Sequence, residues 1–249
     1  AVIFSPEHLS LVKGGPAERR SFLDSALCQV RPAYAALYTR YRHTLDQRNA
    51  LLKDISRHSE LIDTLSIWDD RLCRYGAALV REREAYLEKL SPLAQEHYEG
   101  ISSGRERLEL RYEPSFTGDM ASALRAARRE DLRSGHTSVG PHRDDVAIAL
   151  SGMTARSFAS QGQQRSIVLA LKLAEAGVLA LSCGEEPVVF LDDVLSELDA
   201  SRQAYLLGRL HGRQIFLTGC ELPRNLPDGG ALFFMERGRL SRGDGAAAQ

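Results

Sequence analysis

The 249-residue chain lacks the features that announce several common protein classes. It has four cysteines, Cys28, Cys73, Cys183 and Cys220, and no two of them form a CxxC pair. That spacing argues against structural zinc and a disulfide framework, and for free thiols in a reducing compartment, the cytoplasm. No basic excess points to nucleic acid. Lys plus Arg number 32 and Asp plus Glu 33, for a formal net charge of −1, so any phosphate-binding surface has to be a local patch. Apolar runs fall short of the roughly 18–20 residues a membrane span needs, and no signal peptide is evident. No membrane association is therefore expected. Hydrophobic residues at 43% and charged residues at 26% fit one large globular domain or two ordinary ones. The chain opens on Ala1 inside a strand-like AVIF, which points to a fragment whose N-terminal portion lies elsewhere.

Three textures follow one another along the chain. Residues 1–24 give a short strand, a Ser-Pro-Glu helix start, a Gly-Gly-Pro turn and a basic helix start. Residues 25–133 read as mainly helical. Leu65, Trp68, Leu72, Tyr75, Leu79, Tyr86, Leu90 and Leu93 recur at intervals of mostly three or four, with charges between them. A second stripe runs through Tyr34, Leu37, Tyr41 and Leu45 and resumes near Ile55. With a break near 56–60, the pair predicts an antiparallel coiled-coil hairpin, or more plainly a helical bundle. A strand over 107–112 and a helix over 118–133 complete this arm.

From Ser134 to Gln249 the pattern alternates between strand and helix, as in an α/β sheet. Strands are predicted at 146–150, 188–191, 214–217 and 231–235. The helix through Ile167–Leu181 is apolar nearly all round and should be buried. The fold class is α/β, a head of two segments, 1–24 and 134–249, interrupted by the helical arm 25–133.

Two stretches carry the chemistry. In PVVFLDDVLSELD, an apolar strand, expected to be buried on both faces, ends in Asp192 and Asp193. Neighbouring carboxylates repel unless a cation or a proton satisfies them. A solvated strand-end pair is the plain alternative. In ASQGQQRS, Ser160, Gly162 and glutamines at a helix start place a hydroxyl and free N–H groups at the positive end of the helix dipole, suited to an anion. Read alone, that stretch is also an ordinary serine N-cap.

The order of the two decides between these readings. A phosphate-binding helix start, about 25 residues, an apolar strand ending in DD and then SELD resemble the signature loop, Walker B strand and D-loop of ATP-binding-cassette ATPases. The series FSPEHLSLVKGGPAERRSFLD, QRNALLK, TSVGPHRDD, ASQGQQRS and FLDDVLSELD resembles the RecF family of bacterial recombination and repair proteins, from Val2 to about Leu240. The resemblance implies an ATPase head with an arm, akin to SMC and Rad50 heads. It also implies an ATP-dependent homodimer that binds gapped, duplex or junction DNA and works with RecR and RecO in loading RecA. A transporter ATPase subunit and a structural SMC-like head without ATPase activity are the alternatives.

By the same resemblance, Asp192 would hold Mg²⁺ through its water shell and Asp193 would be the general base. Ser160, Gly162 and Gln163 would touch the γ-phosphate of an ATP held by the partner subunit, and Asp199 would line the dimer seam. The G-x-x-x-x-G-K-[ST] cradle is absent, since Gly14-Gly15 is followed by Pro16 and no such lysine. A weak ATPase is therefore expected of the full-length protein only. Thr218-Gly219-Cys220 stands where many relatives of the class carry a sensing histidine, and no role is assigned to it. His142 and Arg143 are weaker candidates for a contact near nucleotide or DNA. Arg19, Arg20, Arg40, Arg42, Arg48, Lys53 and Arg57 are candidates to track DNA phosphates.

Overall fold

The computed structural model describes residues 1–102, 104, 106–221 and 230–243. In chain order the elements are β1 (Val2–Phe4), α1 (Ser10–Lys13), α2 (Pro16–Val30), α3 (Pro32–Ile55), α4 (Leu65–Ser102), β2 (Leu108–Glu113), α5 (Met120–Ser134), β3 (Asp145–Leu150) and β4 (Met153–Thr154). They continue with α6 (Ala155–Phe158), α7 (Gln161–Cys183), β5 (Val189–Asp192), α8 (Ala200–Arg209), β6 (Ile215–Thr218), β7 (Phe233–Glu236) and β8 (Arg239–Arg242). The expected helices and strands are all present. The short, wholly exposed β8, which pairs with β7, is an addition, because RLSR carries no strand-like alternation of apolar residues.

The site rests on a parallel three-stranded sheet in the order β1-β5-β6. Phe4 is level with Leu191, and Asp192 with Thr218. Val2, Phe4, Val189 and Leu191 are buried in one core with Ile167, Ala170 and Leu171 of α7. The opposite face is open. Ile3, Phe190 and Phe216 are 52%, 37% and 49% exposed, with the two phenylalanine rings stacked at 5.0 Å. The strand ending in the aspartates is thus buried on one face, not on both as its apolar run predicts.

Helix α7 starts on a capping box at Ser160 and stops where Gly184 turns left-handed at φ 73°. It is long and apolar enough to cross a membrane, contrary to the reading of the apolar runs, and two thirds of its most apolar window is buried in the protein. It is read as the core helix of the head. Its two buried charges, Lys172 and Glu175, pair with each other.

In the arm, α3 and α4 form the expected helical hairpin, joined by a 3-10 turn over Ser59–Thr64. Leu65, Leu72, Leu79 and Tyr86 are buried at intervals of seven. The positions four residues after them are Asp69, Gly76, Arg83 and Leu90, so two charged layers interrupt an otherwise apolar seam. Gly76 is a close-approach position: a Cβ there would lie 2.5 Å from Met120 Sδ on α5. The arm and head also share packing, since Leu87, Leu90, Ala94 and Tyr98 of α4 belong to the core that contains α7.

Two of the candidate phosphate-tracking arginines are structural instead. Arg48 is fully buried and donates to Asp69 and Asp131, each at 2.7 Å, and to Thr137 at 2.8 Å. Arg19 is 8% exposed, forks onto both oxygens of Asp145 at 2.7 and 2.9 Å, and reaches the carbonyls of Leu11 and Gly14. Charge alone predicts a solvated face. The carboxylates that draw these arginines inward stand at sequence separations that a local reading does not connect. Arg40, Arg42, Lys53 and Arg57 remain exposed.

Candidate nucleotide and metal site

Parallel strands present their C-terminal ends on one edge of a sheet, where open α/β folds bind ligands. Here that edge carries Asp192 from β5 and Thr218 from β6, with Ser5 just past the end of β1. Thr218 Oγ1 donates to Asp192 Oδ1 at 2.7 Å. The Asp193 backbone N–H donates to the Thr218 carbonyl at 3.2 Å and lies 3.3 Å from its hydroxyl oxygen. Thr218 therefore holds both predicted aspartates. The sequence singles out Thr218-Gly219-Cys220 without assigning it a role, and the place of Thr218 directly after an apolar run was the available signal.

Asp193 adopts φ 51°, the left-handed region that non-glycine residues rarely enter. The turn is secured from the other side. Ser196 Oγ donates to the Asp193 carbonyl at 2.9 Å and contacts its Oδ1 at 3.0 Å. Asp192 and Asp193 thus diverge, one toward Thr218 and the other toward Ser196. Both are exposed.

The first turn of α7 forms a second cluster. Ser160 Oγ accepts from the Gln163 N–H at 3.3 Å, and Gln163 Oε1 accepts from the Ser160 N–H at 2.6 Å. The Gln163 amide also donates to Glu106, whose other oxygen accepts from Tyr98 Oη at 2.7 Å. The Gln163 side chain is thus committed to shaping the turn. The N–H groups of Gln161 and Gly162, which have no acceptor within the helix, are what the turn offers an anion.

Asp199 caps α8, accepting from the Arg202 N–H at 2.9 Å, and pairs with the Arg202 guanidinium at 2.5 Å. Arg202 Nε donates to Ser166 Oγ at 3.0 Å, and that hydroxyl donates to the Gly162 carbonyl at 2.9 Å. Arg165 on α7 pairs with Glu197. Asp199 is therefore linked to Gly162 through Arg202 and Ser166, while Arg165 ties α7 to the turn at Glu197 and Ser160 and Gln163 bond each other. Asp192 and Asp193 adjoin these groups through the short Val194–Leu198 turn.

His142 lies apart from this edge. Its Nδ1 meets Tyr41 Oη at 2.7 Å and its Nε2 meets the Thr137 carbonyl at 3.1 Å. Burial lowers its pKa to about 4, and Arg143 and Arg20 act in the same direction.

A hard dication suits the strand edge. Mg²⁺ keeps several waters and takes one or two carboxylate ligands plus phosphate oxygens. Asp192, exposed and oriented by Thr218, supplies such an oxygen. No group of three His, Cys, Asp or Glu that would form an all-protein cage occurs among the described residues.

No protein-family model matches the chain. A DNA replication and repair protein RecF from Agathobacter rectalis is 45% identical over 218 residues, covering 87% of this chain and 60% of the relative. One from Heliobacterium modesticaldum is 41% identical over 256 residues, covering 97% of this chain and 68% of the relative. The chain thus spans about three fifths to two thirds of the length of these relatives. A solved structure of the recombination mediator protein RecF with ATP, described as part of the RecFOR pathway, matches with a TM-score of 0.89. It is 35% identical and covers 98% of this chain and 67% of that one. At this identity and coverage, the chain belongs to the RecF family of DNA replication and repair proteins.

Proposed function

We propose that this chain supplies one half of an ATP-gated dimer that binds gapped, duplex or junction DNA in the cytoplasm and serves RecR, RecO and RecA-dependent repair. The observation that carries the reading is the pair of strand-end carboxylates, Asp192 held by Thr218 and Asp193 by Ser196. Metal and base carboxylates sit at the end of β5, and a turn with free N–H groups sits at the start of α7. In a cassette dimer the second surface meets the triphosphate bound to the other subunit.

Asp192 would hold Mg²⁺, which when bound neutralises phosphate charge. Asp193 would orient the attacking water and accept its proton as the water oxygen bonds to the γ-phosphorus and the bond to the β–γ bridging oxygen breaks, with ADP as the leaving group. Thr218 and Ser196 fix the two carboxylates in different directions, so the ligand and the base do not compete. The N–H groups of Gln161 and Gly162 offer hydrogen bonds to the γ-phosphate oxygens, and Ser160 keeps the turn in shape. Asp199, held by Arg202, faces the seam.

Ser160→Arg in the full-length protein tests this. The bulky cation occupies the turn that faces the partner's nucleotide. ATP affinity of the monomer should persist while the ATP-dependent dimer disappears in light scattering. An ATP-dependent dimer of undiminished strength would overturn the trans role of the turn.

A further inference from the structure

An open groove of about 540 Å³ lies between α2 and α3, lined by Arg20, Ser21, Asp24 and Ser25 on α2 and by Tyr38 and Arg42 on α3, with Cys28 at the wall. Its one acid is already spent. Asp24 accepts from Tyr34 Oη at 2.5 Å and from Arg83 through both oxygens, each at 2.9 Å. Arg83 is almost fully buried. Burial opposes its charge, but Asp24 overrides this and holds its pKa above the ordinary value.

The groove is therefore net positive, with Arg20 and Arg42 contributed by different helices. Arg20 is anchored through Nη1 on the Asp144 carbonyl at 2.6 Å, which fixes one end of its guanidinium. Burial and the neighbouring Arg83 lower its pKa, and outweigh Asp145, Asp144 and Asp24, which act in the opposite direction. Ser21 and Ser25 lie one turn apart and are small and exposed, so a backbone can approach closely. Tyr38 adds an aromatic face, stacked on Tyr34 at 6.4 Å.

Two guanidiniums, hydroxyls between them and an aromatic wall match what a single nucleic-acid strand requires: charge for its phosphates and a face for a base. We propose that this groove binds the phosphodiester backbone of one DNA strand. The proposal rests on the DNA-binding reading above and supplies it with a site remote from the nucleotide edge.

The test is anisotropy of a fluorescent oligo(dT) with the full-length protein and ATP at several salt concentrations, comparing the parent with Arg42→Glu and Arg20→Gln. Arg42 is exposed, so its replacement leaves the fold intact, as a thermal melt verifies. Affinity should fall about five- to tenfold for Arg42→Glu, and the salt slope should fall by about 0.7 for each phosphate that is no longer neutralised. In parallel, bound oligo(dT) should slow alkylation of Cys28, which lines the groove, and leave that of the exposed Cys183 unchanged. Unaltered binding by both variants with no protection of Cys28 overturns the groove while leaving DNA binding by the protein intact. Failure of the parent to bind any oligonucleotide overturns both, as does an acidic peptide that protects Cys28 where DNA does not.

Discussion

Thr218 Oγ1 donates a hydrogen bond to Asp192 at 2.7 Å, while the Thr218 carbonyl accepts one from the Asp193 N–H. One residue on β6 thus orients the Asp192 carboxylate at the end of β5 and pins the backbone of Asp193 just beyond it. Thr218→Val keeps the shape and removes the hydroxyl. In the full-length protein the half-saturating Mg²⁺ concentration for ATP turnover should rise several-fold. The melting temperature should shift little, because the hydroxyl is exposed and such a bond contributes about 1 kcal/mol. A magnesium titration of turnover is the measurement, and an unchanged titration refutes the role.

Asp193→Asn tests the base. Asparagine tolerates the left-handed backbone that Asp193 adopts, so the turn should survive. ATP binding should be retained while turnover falls by about 10²-fold or more, since positioned base catalysis contributes on the order of 10²–10⁴-fold. Single-turnover kinetics read the chemical step directly. Turnover within a factor of two of the parent would show that another group takes the proton.

The arm carries its own test. Arg48→Ala leaves the fully buried Asp131 and the partly buried Asp69 without their counter-charge. Removing one partner of a buried ion pair costs about 3–5 kcal/mol. For a chain of this size the melting temperature should drop by on the order of 10 °C. The exposed Arg40→Ala should change it by little. Calorimetry of both variants separates a structural arginine from a surface one.

Stability should also depend on pH through His142 and His97. Burial lowers both to about 4, from an ordinary value of 6.5. The unfolded chain therefore takes up protons that the folded chain refuses between about pH 6.5 and 4. The stabilisation is full above that window and is lost as pH falls through it. Urea melts at pH 7 and pH 5 should show the loss, and the double variant His97→Gln, His142→Gln should flatten it. An equal loss in the double variant would assign the effect to carboxylates.

The elements were legible where periodicity is strong. The stripe from Leu65 to Leu93 predicts α4, and the alternation of Val146, Ile148 and Leu150 predicts β3, because burial of one face sets those periods. Asp192, Asp193 and Ser160 were legible as motifs. Thr218 was not, since its role follows from the register of two strands 26 residues apart. The fates of Arg19 and Arg48 were hidden for the same reason, because Asp145 and Asp131 lie 126 and 83 residues away. The spent carboxylate at Asp24 likewise depends on Arg83, 59 residues downstream.

Helix α4 is a 38-residue rod, about 57 Å long at 1.5 Å per residue. Near its lower end, Tyr98 reaches Glu106, which in turn grips Gln163 in the first turn of α7. Pro92, which has no N–H to give the helix, lies between the hairpin and that grip. One continuous helix and two side-chain hydrogen bonds thus join the hairpin to the turn at Ser160, so the place of Tyr98 along α4 decides where Glu106 can hold Gln163.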